Sequence, residues 1–351
     1  MENSISKEKR LPFWTKLVYG TGDWGTASYG TLRQVFYAIF LTDVVGLEPR
    51  LASVAALIGI IWDAINDPLV GMLSDRVRTR WGRRRPFLLI FAIPYGLSFM
   101  LLWWAPPIES QIGKALIITL AFIISDTLET LVAVPFSALL PEMTKDYDER
   151  TSVTGFRMFF NLVVSLVTAV TAPMIVEAVL GSGGTQQQGY LLTAAIFGGM
   201  AAVPFLLIFF VVREQPRTSS QEEMPFLQTV RVAWANIPFR FATILYMLNW
   251  ITFDIVGLGL PFFLTYWIAR GDLLAQVIGL PIESAVFAVL LVTAVLALPL
   301  LMFISNRLSK KNAYIAGMVF WAAVQLGIFA LQPGKINLVL FMAMLAGISV
   351  S

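Results

Sequence analysis

The chain has 351 residues, of which 57% are hydrophobic and 13% charged, with a mean hydropathy of +0.75 and a formal net charge of +3. Ordinary soluble domains carry roughly 25% charged residues, so the polar surface here is too small to cover a water-soluble body of this size. A soluble enzyme, a nucleic-acid-binding module and a disordered tail are thereby excluded, and the composition describes an all-α polytopic membrane protein. Cysteine and histidine are both absent. That removes disulfides, thiolate nucleophiles and Cys/His zinc sites, and leaves carboxylates for proton chemistry and oxygen ligands for any hard cation.

The first ten residues, MENSISKEKR, are polar and carry no signal-peptide pattern. Apolar stretches then recur at 14–42, 50–73, 87–105, 115–140, 153–180, 190–212, 241–267, 284–304, 312–331 and 336–351. A membrane helix needs roughly 20 apolar residues, so these are about ten spans. With the N-terminus placed in the cytoplasm, cytoplasmic segments hold nineteen of the 25 Lys and Arg residues. The other side holds Arg50, Lys114, Arg270 and Lys335, while Arg33 and Arg157 fall within or beside spans. Basic residues concentrate on the cytoplasmic side of membrane proteins, which sets the orientation. Trp103 and Trp104, followed by Pro106 and Pro107, suit the outer interface.

The longest polar stretch, 213–240, contains REQPRTSSQEE and then an amphipathic piece from Phe226 to Trp234. It divides the chain into an N-terminal six-helix bundle (1–212), a cytoplasmic linker (213–240) and a partial C-terminal bundle of about four spans (241–351). SDRVRTRWGRRRPF (74–87) is echoed by SNRLSKKNAYIAG (305–317), each following the second span of its half. Such duplication is a common plan in secondary transporters. The tenth stretch runs to Ser351 without a polar tail. Two halves of six would need twelve spans, so the C-terminal bundle reads as truncated, with about ten of twelve present.

Ionisable residues at bilayer depth are costly and mark pathways or sites. Asp63, Asn66 and Asp67, in WDAINDP, share one helix face by their spacing of three and four. Two carboxylates and an amide oxygen there suit Na⁺, with Asp63 and Asp67 as its ligands, or a proton-sharing pair. The alternative is a structural pair bonded to neighbouring helices. Asp126 and Thr130 share a face of the fourth span; Thr130 offers a hydroxyl to a cation held by span two, and Asp126 faces a polar substrate. Glu129, about 100° away, is a candidate structural partner for an arginine. Arg33 and Arg157 either contact substrate or neutralise the acids. Asp23 and Asp254 are further acids at depth, and Asp254 has no evident partner.

Three stretches resemble the glycoside–pentoside–hexuronide:cation symporters of the major facilitator superfamily, a melibiose permease-like group. They are KLVYGTGDWG with FLTDVVGL (16–47), WDAINDPLVGMLSDRVRTRWGRRRPF (62–87) and TLVAVPFSALLPEMTKDYDERTSVTGFRMFFN (130–161). The resemblance implies the transporter fold of two six-helix bundles, and a cation site at Asp63, Asn66, Asp67 and Thr130. It implies a substrate contact at Arg157, in the segment that carries Asn161, and a gating loop in which Asp75, Arg76, Arg83 and Arg84 lock neighbouring helix ends. The family's galactoside-binding carboxylates fall on Ala27 and Ala133, and its stacking tryptophan on Ser137. Galactoside recognition is therefore not implied, and Asp126, Glu129 and Arg33 stand as candidate replacements.

The expectation is a cation-coupled (Na⁺ or H⁺) secondary transporter of a sugar or glycoside. It is not an enzyme, has no cofactor beyond the coupling ion, and works as a monomer in a bacterial plasma (inner) membrane without nucleic-acid partners. Alternatives are a lysolipid carrier of the same superfamily, a non-transporting sensor, and a membrane prenyltransferase. That last class would need a second acidic motif, and the only further cluster, DYDER at 146–150, lies in a loop.

Overall fold

The computed structural model describes residues 10–214, 226–270, 276–277, 280–307, 310–329 and 331–350. Twelve α-helices and one hairpin of two-residue strands occur among them. The helices are α1 (Phe13–Gly20), α2 (Asp23–Ile39), α3 (Pro49–Arg76), α4 (Arg85–Leu102), α5 (Gln111–Met143), α6 (Tyr147–Gly181) and α7 (Gln186–Val211), then α8 (Phe226–Ala235), α9 (Ile237–Phe262), α10 (Ile282–Arg307), α11 (Lys310–Ile328) and α12 (Ile336–Val350). Strands β1 (Gln276–Val277) and β2 (Leu280–Pro281) pair antiparallel. Six helices are long and apolar enough to cross a membrane: α3 to α7 and the Ser284–Leu301 stretch of α10.

The apolar stretch expected as one span over 14–42 is two helices. The chain turns at Thr21 and Gly22, where Thr21 Oγ1 donates to the Val18 carbonyl at 2.7 Å and Trp24 N–H to the Thr21 carbonyl at 2.9 Å. A π-helical turn, Phe40–Val44, ends α2. The amphipathic piece expected after the sixth span is α8. The REQPRTSSQEE linker lies mostly outside the described residues, as do residues 1–9.

The described residues form two compact units. One comprises 1–215, 287–325 and 343–351; the other comprises 216–286 and 326–342. In the first unit, α4 packs on α7 and α5, α3 on α5, α2 on α6 and α7, and α1 on α6. The approach of α4 to α7 is closest where Gly96 meets Gly198. A Cβ on either residue would collide with the other's carbonyl, so the crossing requires glycine at both. A buried aromatic cluster of Tyr37, Phe40, Trp103 and Tyr190 closes one end of the unit. Trp103 is therefore core, with its ring stacked on Tyr190 at 5.0 Å; only Trp104 is exposed in the way an interface anchor requires. The α4 helix ends at Trp103, which leaves helical geometry and turns its ring inward. In the second unit, Trp267 Nε1 donates to the Leu331 carbonyl at 3.1 Å and Gly334 N–H to the Ile268 carbonyl at 3.0 Å. Those bonds tie the π-helical turn Phe263–Ile268 to the turn before α12.

Candidate functional site

Parallel packing of α3 on α5 assembles the candidate cation site. Gly59 lies against the Phe122 ring, Trp62 Nε1 donates to Thr127 Oγ1 at 3.0 Å, and Gly71 faces Val134. This register brings Asp67 beside Thr130 and Asp63 within electrostatic reach of Asp126. Asn66 is buried at 4% exposure, and its Nδ2 has no hydrogen-bond partner among the described residues. Thr130 is fully buried, and its Oγ1 is likewise unpartnered, facing Asp67 outside hydrogen-bonding geometry. Asp63 is half-buried and Asp67 exposed. Buried polar groups in folded proteins are nearly always paired, so the unpartnered Thr130 hydroxyl beside Asp67 marks a place where a ligand completes the bonding; the unpartnered Asn66 Nδ2 is a hydrogen-bond donor and does not itself ligate a cation. The oxygen donors there are of the type that hard cations prefer. No group of three or more acids gathers as a metal cluster among the described residues.

Arg33 of α2 reaches across to α5. Its Nη1 donates to Asp126 Oδ1 at 2.9 Å, and its guanidinium lies over the rings of Tyr29 (5.4 Å) and Phe122 (5.3 Å). The sequence pointed to Asp126 as the substrate-facing acid and Glu129 as an arginine partner. The structure pairs the arginine with Asp126 instead, because the Asp126 face of α5 turns toward α2. Glu129 remains within electrostatic reach of Arg33. Tyr29 Oη donates to Ser125 Oγ at 3.1 Å, a second polar link between α2 and α5.

The second intramembrane arginine is held elsewhere. Arg157 of α6 makes a two-pronged pair with Asp23 at the start of α2, with Nε–Oδ2 at 2.6 Å and Nη2–Oδ1 at 3.0 Å. Its guanidinium lies 4.6 Å from the Phe136 ring centre. The sequence marked Asp23 as an acid at depth but not as this partner. Asn161, one turn further along α6, forms no hydrogen bond among the described residues. The side chain of Asp254 lies outside the described residues.

The loop between α3 and α4 is densely bonded. Arg84 Nη2 donates to Asp75 Oδ1 at 2.5 Å, Arg83 Nη1 lies 3.6 Å from the same oxygen, and both arginines pair with Glu142 of α5. Arg84 also donates to Ser74 Oγ. Arg76, expected in the lock, is exposed and forms no ion pair among the described residues. The sequence missed Glu214. Its carboxylate accepts the backbone N–H groups of Arg83 (2.7 Å), Arg84 (2.9 Å) and Arg85 (3.0 Å), capping the N-terminus of α4. Helix N-termini carry unpaired amides and partial positive charge, so a carboxylate is stabilised there. Gly82, at φ +106°, makes the turn that admits Glu214. In return, Arg85 donates to the Phe209 carbonyl near the end of α7, with its Nε at 3.0 Å.

Residues 18–351 match the family model described as MFS/sugar transport protein. The chain belongs to that family. It is 24% identical to the isoprimeverose transporter of Lactiplantibacillus pentosus, over 92% of this chain and 65% of that protein. It is 26% identical to the sodium-dependent lysophosphatidylcholine symporter 1-A of Danio rerio, over 90% of this chain and 63% of that protein. The chain thus spans just under two thirds of the length of both relatives. Among solved structures it is similar to the inward-open xylose transporter XylE from E. coli, with a TM-score of 0.56 and 18% identity over 96% of this chain and 78% of that one. That likeness bears on the fold alone. The major facilitator fold and the resemblance to glycoside/cation symporters read from the sequence are borne out, and the protein is an integral multi-pass membrane protein of a transporter family.

Proposed function

We propose that the protein is a cation-coupled symporter that carries a sugar or glycoside by alternating access. The observation that carries this reading is the buried, unpartnered hydroxyl of Thr130 beside Asp67, on the α3 face that also carries Asp63, in a chain of a transporter family. The coupling cation, Na⁺ or H⁺, binds Asp63 and Asp67, with Asn66 and Thr130 completing its contacts. Substrate binds toward Arg157 and Asn161, with Arg33, Asp126 and Glu129 shaping its polar surroundings. Arg157 is held by Asp23 in this state, so a substrate hydroxyl or carboxylate would share or displace that bond. The two halves, 1–212 and 241–351, act as bundles that rock about a midplane site. The α3–α4 loop, on the cytoplasmic side with the N-terminus, holds helix ends together through Asp75, Arg83 and Arg84. The setting is a bacterial plasma membrane.

Coupling requires that the empty and the fully loaded carrier reorient while the half-loaded one does not. Uptake of a panel of labelled sugars by the full-length protein in vesicles, with Na⁺ gradients and pH gradients applied separately, tests the reading. Concentrative uptake should follow one gradient; uptake indifferent to both would reject it. A lysolipid substrate is the second reading, supported by similarity to the lysophosphatidylcholine symporter across 90% of this chain. A labelled lysolipid in the same panel distinguishes the two.

A further inference from the structure

The polar face between α3 and α5 repeats itself one turn along. On α3, Asp63 and Asp67 are four residues apart; on α5, Asp126 and Thr130 have the same spacing. Because the helices are parallel and in register, these four residues form two rungs. The register that sets Gly59 against Phe122, Trp62 against Thr127 and Gly71 against Val134 places Asp63 level with Asp126 and Asp67 level with Thr130. The first rung therefore joins two carboxylates, and the second joins a carboxylate and a hydroxyl.

The two rungs differ in what neutralises them. Arg33 lies on the Asp126 side of the first. Its guanidinium is bonded to Asp126 Oδ1 at 2.9 Å and is steadied by the Tyr29 and Phe122 rings, with Glu129 also in reach. Arginine stays protonated in proteins, so this is a permanent positive charge attached to the chain. Asp126 is 1% exposed, and its second oxygen, Oδ2, has no partner among the described residues. Among the described residues the second rung receives no basic side chain, and Thr130 Oγ1 has no partner there. One rung thus holds a cation that cannot leave, and the other holds none.

We propose that Arg33 is a tethered cation that fills the Asp63–Asp126 rung, so that the α3–α5 face takes up one exchangeable cation where its carboxylates would otherwise accept two. The proposal rests on the reading of Asp63 and Asp67 as cation ligands. Remove the guanidinium, and Asp63 and Asp126 become a carboxylate pair at bilayer depth with no positive partner. Such a pair is strongly unfavourable unless a cation joins it. Both oxygens of Asp126 would then be free to bind one.

Equilibrium binding of radioactive Na⁺ to purified full-length protein counts the sites without needing the substrate. The wild type should bind one Na⁺ per chain, and Arg33→Lys should keep that number because it keeps the charge. Arg33→Gln should bind two, with a saturation curve steeper than that of a single site. The double variant Arg33→Gln/Asp126→Asn should return to one. Asp126→Asn alone frees the guanidinium toward Asp63 and should weaken Na⁺ binding about tenfold; this variant tests the proposal even if Arg33→Gln does not fold. Arg33→Gln that binds one Na⁺ at unchanged affinity, or Asp126→Asn with wild-type affinity, overturns the proposal. If Asp67→Asn has meanwhile lost binding, the cation-site reading still stands. A wild type that binds no Na⁺ overturns the tethered-cation proposal together with a Na⁺ site.

Discussion

Two polar regions of the same helical unit are built in opposite ways. Where the α3–α4 loop enters α4 the charges are matched, with Arg76 exposed outside the network: Asp75, Glu142 and Glu214 meet Arg83, Arg84 and the first amides of α4. Even Arg84 Nε, which makes no hydrogen bond, lies 3.5 Å from Glu142. At the α3–α5 face the acids outnumber the bases, and buried atoms of Asn66, Asp126 and Thr130 have no partner among the described residues. A saturated network holds one arrangement of the chain. An unsaturated one costs stability until something binds, and that cost is what couples binding to a change of state.

Substitutions can break or sharpen this contrast. The largest effect is expected from Asp63→Asn or Asp67→Asn, which should lower concentrative uptake about a hundredfold or more while substrate exchange survives. Counterflow and gradient-driven uptake in the same vesicles separate the two, and full concentrative uptake by both variants would remove the site assignment. Next come Asp23→Asn and Arg157→Gln. Each strands a buried charge, which typically costs about 3–5 kcal/mol, whereas the double variant should regain most of that stability. Denaturation of the detergent-solubilised proteins, analysed as a double-mutant cycle, checks the pairing; additive losses would contradict it.

Smaller effects should separate the regions by kind. Glu214→Gln weakens three backbone bonds to a charged acceptor, and stability should fall by about 1–3 kcal/mol with cation affinity unchanged. Thr130→Val should do the reverse. It deletes an unpartnered buried hydroxyl, so stability should hold or rise, while cation affinity drops about tenfold, equivalent to about 1.4 kcal/mol. A thermal-shift series with and without Na⁺ or at two pH values reads both quantities. The smallest change is expected from Lys16→Gln, which loses the 2.8 Å pair to Glu149. The two partners are mostly but not fully buried, and the loss should stay near about 1 kcal/mol.

Spacing alone made part of this legible. Asp63, Asn66 and Asp67 share a face because helical geometry requires it, and the apolar stretches located α3 to α7 to within a few residues. What depends on how one helix is rotated against another was not legible. Glu129 and Asp126 are three residues apart, and only the packing of α5 against α2 decides which one meets Arg33. Glu214 follows an apolar stretch directly, a position usually read as the polar end of a span; its capping of α4, about 130 residues earlier in the chain, comes from tertiary structure. Trp103 and Trp104 look alike in sequence, and the turn that follows the end of α4 at Leu102 sends Trp103 into the core. The break at Thr21 and Gly22 is marked in the sequence by GTGD (20–23), but the apolar residues on either side made the stretch read as one span.

The Gly96–Gly198 crossing also bears on how the carrier moves. α4 and α7 touch backbone to backbone near their middle, and are clasped again at one end by Glu214 and by the bond from Arg85 to Phe209. Two helices fixed to each other at separated points can neither slide nor scissor. They form a strut, and bending within this unit falls on the helices packed around it, among them α3 and α5, whose shared face carries the unmatched acids.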